Sequence, residues 1–378
     1  MSQANDASIL LIPTAYKTSK VYSVFPNDGN GDFIFSRSGK ATRINANGFV
    51  EEMPNNIPRM DYSDGNCSAL LLEQSSTNLF TDYLGVSGYS GGGSGSFGVT
   101  ANFAISPDGT QNATKLTATT GSRQHKQDIA VIGDNTISCY LKTNTGTKQI
   151  RLMINDTHRL TVNVTNQWQR FETTTNVTSI IGSGRCGLVS LDILDDNQYI
   201  LVYGLQLENQ SQSTSLIPTT TVAVTRFGET CLSSAATDPS IIQNDEFTLF
   251  CHVKDITSTL SRISLNDGTG SNKYQFNFSS AGEVYFSTVI GGASVTNHFQ
   301  SGLGSEIKVA VRVENNNRKM YVNGQVASII NSTLLNSSLL TDLDLSQTST
   351  SLPFYGKLKR LDYYNTPLTD AQLLALTQ

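Results

Sequence analysis

Hydrophobic and polar residues alternate along most of this chain in short runs, separated by clusters rich in Gly, Ser, Thr and Asn. In HRLTVNVT, Leu160, Val162 and Val164 recur with period two and share one face, as in a half-buried strand. EFTLFCHVKDI does the same with Phe247, Leu249, Cys251 and Val253. KYQFNFSSAGEVYFSTVI reads as a hairpin turning at 279–282. IKVAVRVENNNRKMYVNGQVASI reads as three strands, turned at 315–317 and at Asn323-Gly324, because Asn-Gly tolerates the positive φ angles of a tight hairpin. Further runs of strand character are ATKLTAT, NTISCYLKT, KQIRLMIN, QRFETTTNV, CGLVSLDIL and YILVYGLQLE. Only NTPLTDAQLLALTQ has helical spacing: Thr369 and Gln372 form a capping box, and Leu368, Leu373, Leu374 and Leu376 supply an apolar stripe. The pattern predicts an all-β chain: two antiparallel jelly-roll sandwiches and one short C-terminal helix, expected to plug an end of the second sandwich.

Two breaks divide the pattern. The run GVSGYSGGGSGSFG (85–98) reads as an irregular connection, and the strand pattern restarts after SLIPTTTVAVTR (215–226). The expected division is an extended N-terminal segment over 1–84, a first sandwich over 85–222 and a second over 223–378. Within the segment, SGKATRINANGFVEEMPNNIPRMDYSDG (38–65) has almost no long apolar run. It is expected to be ordered by a partner or by the rest of an assembly. Pro54 and Pro58 stiffen it and Gly48 and Gly65 permit turns, while Arg43 and Arg59 can make forked bonds to carboxylates, with Asp61 a local candidate.

Composition narrows the chemistry. The chain has 378 residues, 38% of them hydrophobic, and a formal net charge of −5 with no basic stripe, which argues against nucleic-acid binding. No run approaches the roughly 18 apolar residues of a membrane span, and ILLIP is too short for a secretion signal, so no membrane insertion is expected. Five cysteines lie far apart without a C-x-x-C, which predicts buried free thiols. His125, His158, His252 and His298 form no metal motif and read as surface residues, and no G-x-S-x-G occurs. The acidic runs LDILDDN (Asp192, Asp195, Asp196) and TDLDLSQ (Asp342, Asp344) lack a pair of glutamates on one strand, so no catalytic residues are assigned. PNDGNGDF (Asp28, Asn30, Asp32) and SPDGTQN (Asp108, Asn112) carry oxygen ligands suited to structural calcium. Turn chemistry accounts for both without a metal, and no cofactor is expected. Sugar binding needs aromatic faces, for which Trp168, Tyr89, Tyr363 and Tyr364 are the candidates; a lone tryptophan at a strand start more often plugs an edge.

The N-terminal residues resemble a segment of many tailed-phage virion and fibre-like proteins. The matching positions are Gly31, Asp32, Phe33, Phe35 and Arg37; Ala41, Thr42, Arg43, Asn45 and Gly48; Asn56, Pro58, Arg59, Asp61 and Tyr62; and Leu70, Leu71, Leu72, Glu73, Thr77, Asn78 and Leu79. YGLQLENQSQSTSLIPT resembles the closing strand of a carbohydrate-binding-module jelly roll. KMYVNGQ and FYGKLKRLDYYNTPLTDAQLLAL resemble a laminin-G or concanavalin-like sandwich. These resemblances imply a non-enzymatic virion protein, a head or tail fibre or decoration made in the host cytoplasm. Residues 1–84, with Arg43, Gly48, Pro58, Arg59, Asp61 and Tyr62, would attach it to other virion proteins or build a homo-dimer or trimer. The sandwiches would adhere to host-surface glycans; the alternatives are decoration without glycan binding and, less favoured, glycan depolymerisation.

Overall fold

The structure, a computed structural model, describes residues 3–65, 67–91, 97–118, 123–233, 238–331, 335–348 and 352–378; residues 92–96 of the expected connection lie outside it. The chain is all-β and forms two units. The first comprises Met1–Gly39, Met53–Gln74 and Gly228–Gln378, and the second Lys40–Glu52 and Ser75–Phe227.

The first unit is a sandwich. One sheet runs Gln325–Asn331, Asn317–Val322, Glu306–Glu314, Phe247–Lys254, Gly356–Tyr364, Ala69–Leu72 and Met60–Asp61, and Ile9–Leu11 also pairs with Gly356–Tyr364. The facing sheet runs Ala293–Gln300, Glu283–Ile290, Lys273–Ser279, Ser261–Asn266 and Asp342–Asp344. Alternation decides which side chains meet. Phe247, Leu249, Cys251 and Val253 enter a core shared with Phe276, Phe278 and Phe286 of the other sheet. The expected hairpins form: Asn315 and Asn316, then Asn323 and Gly324, take positive φ at the two turns.

The helix Asp370–Thr377 carries the expected capping box. It does not plug an end. Leu368 and Leu373 pack against Phe250, Ala310, Tyr321 and Tyr364, which alternate outward from the eight-stranded sheet, so the helix covers that sheet's outer face.

The N-terminal residues do not stand apart as an extended segment. Ile9–Leu11 and Ala69–Leu72 are buried strands of the first unit, and Phe33–Ser36, which buries Phe33 and Phe35 and exposes Ile34, pairs with Thr230–Ser233. Ala69–Leu72 opens ALLLEQSSTNLF, whose sequence reads as a strand and exit turn, whereas strands as short as Ile9–Leu11 and Phe33–Ser36 show little periodicity, which hid them. Two arginines of this region, Arg37 and Arg59, hold the unit together internally. Arg37 Nη1 donates to Glu229 Oε1 at 2.8 Å, as does Arg59 Nε. Arg59 Nη2 bonds Glu229 Oε2, and its Nη1 reaches Glu73 Oε2 at 2.8 Å. All four groups are buried. Burial opposes the Arg59 charge, and Glu229 and Glu73 outweigh it, so its pKa is raised.

In the second unit, Gly98–Ala104, Ala113–Thr117, Ile200–Glu208, Gly133–Thr143 and Gln169–Val177 form one sheet. Arg123–Asp128, Arg185–Ser190, Lys148–Ile154 and Thr157–Val164 form the other. Their inner residues, among them Ile137, Leu141, Leu152, Leu188, Val202 and Leu207, make one core.

Candidate functional site: a polar groove on the five-stranded sheet

The outer face of the sheet built on Lys273–Ser279 is unusual for a solvent face. Tyr274, Phe276 and Phe278 point into the core, which turns Lys273, Gln275 and Asn277 outward. Register then sets their neighbours. Asn277 lies opposite Arg262 on one side and Tyr285 on the other, and Gln275 opposite Ser264 and Ser287. Tyr285 lies opposite Phe299, and their rings stack with centroids 4.5 Å apart. Both rings are exposed, as is Leu260 at the rim.

Arg262, Lys273, Gln275, Asn277, Tyr285 and Ser287, with Leu260 at the rim, line an open groove of about 640 Å³, and Phe299 backs Tyr285 from outside the lining. Its floor is polar and sunken: Lys273 is 5% exposed and Gln275 6%. Ser287 Oγ accepts from Gln275 Nε2 at 3.0 Å and from Asn277 Nδ2 at 3.3 Å. Gln275 Oε1 and Arg262 Nε have no partner. Buried polar atoms are nearly always satisfied by protein or by ordered water, so these two leave hydrogen-bonding capacity on the floor for water or for a ligand. Burial pulls the Arg262 guanidinium down from its ordinary value; burial and then the neighbouring Arg262 do the same to the Lys273 ammonium. The loop 267–272 at the rim is locked by Asp267, whose carboxylate accepts from the backbone of Thr269, Gly270 and Asn272 at 2.8–3.0 Å.

The residues singled out from the sequence lie elsewhere. Tyr363 and Tyr364 are fully buried, and Tyr363 stacks on Phe247, so neither offers a face to a sugar. Their strand is central and covered on both sides, which alternation alone did not reveal. The face of Tyr89 is occupied by His125, 4.3 Å away, and its hydroxyl bonds Asp82 O. Trp168 is half-buried beside Val50, Tyr203 and Leu216, with Nε1 donating to Ile105 O at 3.2 Å.

Arg59 and Pro58 are buried, Asp61 Oδ1 accepts from the Ser63 backbone N–H at 3.0 Å, and Tyr62 packs at the edge of the first core. Arg43 pairs with Glu51 at 2.8 Å across a short hairpin whose turn holds Gly48 at φ +80°. None of these is presented together as a docking face.

Among the described residues no three or more His, Cys, Asp or Glu side chains gather as for a metal. Asp28 accepts from Asn30, and Asp32 from Ser23 and Lys20. Burial pushes the Asp108 carboxyl up, but bonds from Ser106, Thr110 and Asn112 hold it below its ordinary value. The reading of the histidines as surface residues fails for His125 and His298, which are buried; the side chain of His158 lies outside the described residues. Cys139, Cys186, Cys231 and Cys251 are buried free thiols, whereas Cys67 is exposed.

KYQFNFS carried the signal that locates the groove, three polar residues alternating with three aromatic ones. What it lacked was register: Arg262 and Tyr285 reach Asn277 only through strand pairing.

No protein-family model matches the chain, and no curated protein does. Among solved structures it is similar to the CBM40 of the Ruminococcus gnavus IT-sialidase bound to α2,3-sialyllactose: 19% identity and TM-score 0.32, over 39% of this chain and 88% of that one. It is also similar to sheep galectin-11, with 14% identity and TM-score 0.25, over 32% and 92%. Domain 4 of the Geobacillus stearothermophilus arabinanase AbnA, in complex with arabinotriose, has 16% identity and TM-score 0.31, over 40% and 73%.

Proposed function

We propose that this chain is a non-catalytic glycan-binding protein that holds its ligand in the groove over Lys273, Gln275 and Asn277. One observation carries the reading: sunken amides and a hydroxyl, two of their neighbouring polar atoms unsatisfied, lie beside an exposed aromatic pair on one rigid sheet. Amides pair with sugar hydroxyls, and an aromatic ring packs on the apolar face of a pyranose. The phenylalanine core beneath fixes the strands, so little order is lost on binding. Among the described residues no carboxylate lines the groove, so no acid and base pair for glycosidic cleavage is presented there.

The resemblance of the N-terminal residues to tailed-phage virion segments supports placing the protein on a virion, as a head or tail fibre or decoration that adheres to host-surface glycans. Many copies on one particle would convert weak single-site affinity into avidity.

A glycan array probed with the intact protein tests the site. A discrete set of glycans is expected to be retained, with binding weakened about tenfold or more by Tyr285→Ala, the loss of an aromatic stack together with its buried area. Retention of nothing, or equal retention by wild type, Tyr285→Ala and Asn277→Ala, would show that the groove is not a sugar site.

A further inference from the structure

Most basic side chains of the first unit meet an acid. Lys254 pairs with Asp64, and Lys357 with Asp64 and Asp255. Lys359 reaches Asp64 and Glu306, Arg312 and Lys319 share Asp370, and Arg360 holds Asp362. In a chain of net charge −5, cations have carboxylates to choose from.

Arg262 and Lys273 are the exceptions on the groove. Neither makes an ion pair among the described residues, and no carboxylate's charge acts on Arg262. The one acid whose charge reaches Lys273 is Asp267. That carboxylate is already engaged by three backbone N–H groups, by the Thr269 hydroxyl at 2.9 Å and by Asn272 Nδ2 at 2.8 Å. Asp342 and Asp344 lie one strand beyond Ser261–Asn266, outside the lining, bonded by Thr341 and Asn266. Two cations thus sit partly desolvated on adjacent strands, repelling each other, with no ion-pair partner among the described residues. Such an arrangement costs stability, and an anion that binds both relieves it. Arg262 lies opposite Asn277, and Gln275 stands between that pair and Lys273 along the strand. The anionic group therefore belongs to a ligand that also carries hydroxyls.

We propose that the groove selects acidic saccharides, with Arg262 and Lys273 clamping a carboxylate, sulfate or phosphate on the sugar while Gln275 and Asn277 take its hydroxyls. This rests on the glycan reading above. Arg262 supplies a planar fork that matches an oxyanion in two bonds, and Lys273 a point charge. Because the whole chain is negative, the attraction is local to the groove rather than a general affinity for polyanions.

Affinity electrophoresis of the intact protein through gels containing polygalacturonate, its methyl ester, dextran sulfate or dextran tests this. Retardation by an acidic polymer and not by its neutral counterpart is expected. Polygalacturonate alone would identify a carboxylate, and dextran sulfate a sulfate- or phosphate-type group. Arg262→Gln and Lys273→Gln should each weaken retardation about tenfold, the worth of a charged hydrogen bond, while Lys254→Gln leaves it unchanged. Arg262→Lys should recover part of the loss. Equal retardation by polygalacturonate and its methyl ester overturns the acidic assignment and leaves glycan binding standing. So does no retardation by any polymer together with neutral hits on the array. With the array also empty, both proposals fall. Acidic retardation that survives the double variant overturns the clamp.

Discussion

Gly282 sits at φ +73° in the turn between Lys273–Ser279 and Glu283–Ile290, and a Cβ there would come within 2.0 Å of the Leu303 carbonyl oxygen. Neither the conformation nor the space admits another residue. Gly282→Ala is expected to destabilise the first unit by about 1–3 kcal/mol, read as a lower denaturant midpoint with unchanged slope. A midpoint within error of wild type would mean that the loop at Leu303 simply moves aside. His125 gives a residue-scale effect in the second unit. An ordinary histidine takes a proton near 6.5, but burial, only partly offset by the bond to Gly85 O and by Asp82, holds this one off until about 4. Its folded pKa is depressed, so between these values the unfolded chain binds more protons than the fold. Stability is therefore present above pH 6.5 and lost as pH falls towards 4, by on the order of 3 kcal/mol. Thermal melts of the intact protein at pH 7 and pH 4.5 should diverge accordingly, and His125→Gln should reduce the divergence; an unchanged divergence would place its origin in other groups.

At the scale of elements, local chemistry decided more than composition. Asn-Gly and the Asn-rich turn at 315–317 specified hairpins because few residues tolerate positive φ twice in succession, and both turns form where those residues stand. The helix was equally legible, since Thr369 and Gln372 satisfy each other's backbone donors whatever the helix packs on. Its docking place was not legible. The outward row Phe250, Ala310 and Tyr321 looks like half of a buried strand until the two faces of that sheet are known. Thr369→Ala should cost about 1 kcal/mol, and Leu373→Ala about 2–5 kcal/mol because it opens the contact over the sheet. Chemical denaturation separates the two; equal losses would mean that the helix contributes little packing. The groove was legible in the same partial way. Its own strand announced alternate polar residues, and the hairpin at 279–282 carries Tyr285 to Asn277, but Arg262 and Phe299 lie on two further strands whose pairing the sequence reading did not set.

On the scale of the whole molecule, the first unit is built from three separated stretches of chain, and the Arg37–Glu229–Arg59–Glu73 network ties all three. In sequence, Arg59 was expected to fork onto a carboxylate with Asp61 as the local candidate, and to serve attachment. The carboxylate partner that Arg37 and Arg59 share is more than 150 residues away, at a separation sequence patterns do not report. Removing that partner takes a carboxylate from two buried guanidinium groups and leaves Arg59 with Glu73. Glu229→Gln should destabilise the first unit by about 3–5 kcal/mol, as a shift in its unfolding transition; a loss under about 1 kcal/mol would mean that the arginines find water or another acceptor.

The pairing of Ile9–Leu11 and Ala69–Leu72 with Gly356–Tyr364 also sets a timetable. On the ribosome, every residue of the second unit emerges before the central strand of the first has been made. At roughly 5–20 residues per second, the wait between the last residue of the second unit and that strand is on the order of ten seconds. Through it the apolar side chains of Ile9, Leu70 and Leu72 have no sheet to join. The earliest hydrophobic strands of this chain are the last to be housed, and they are where a chaperone has most to shield during synthesis.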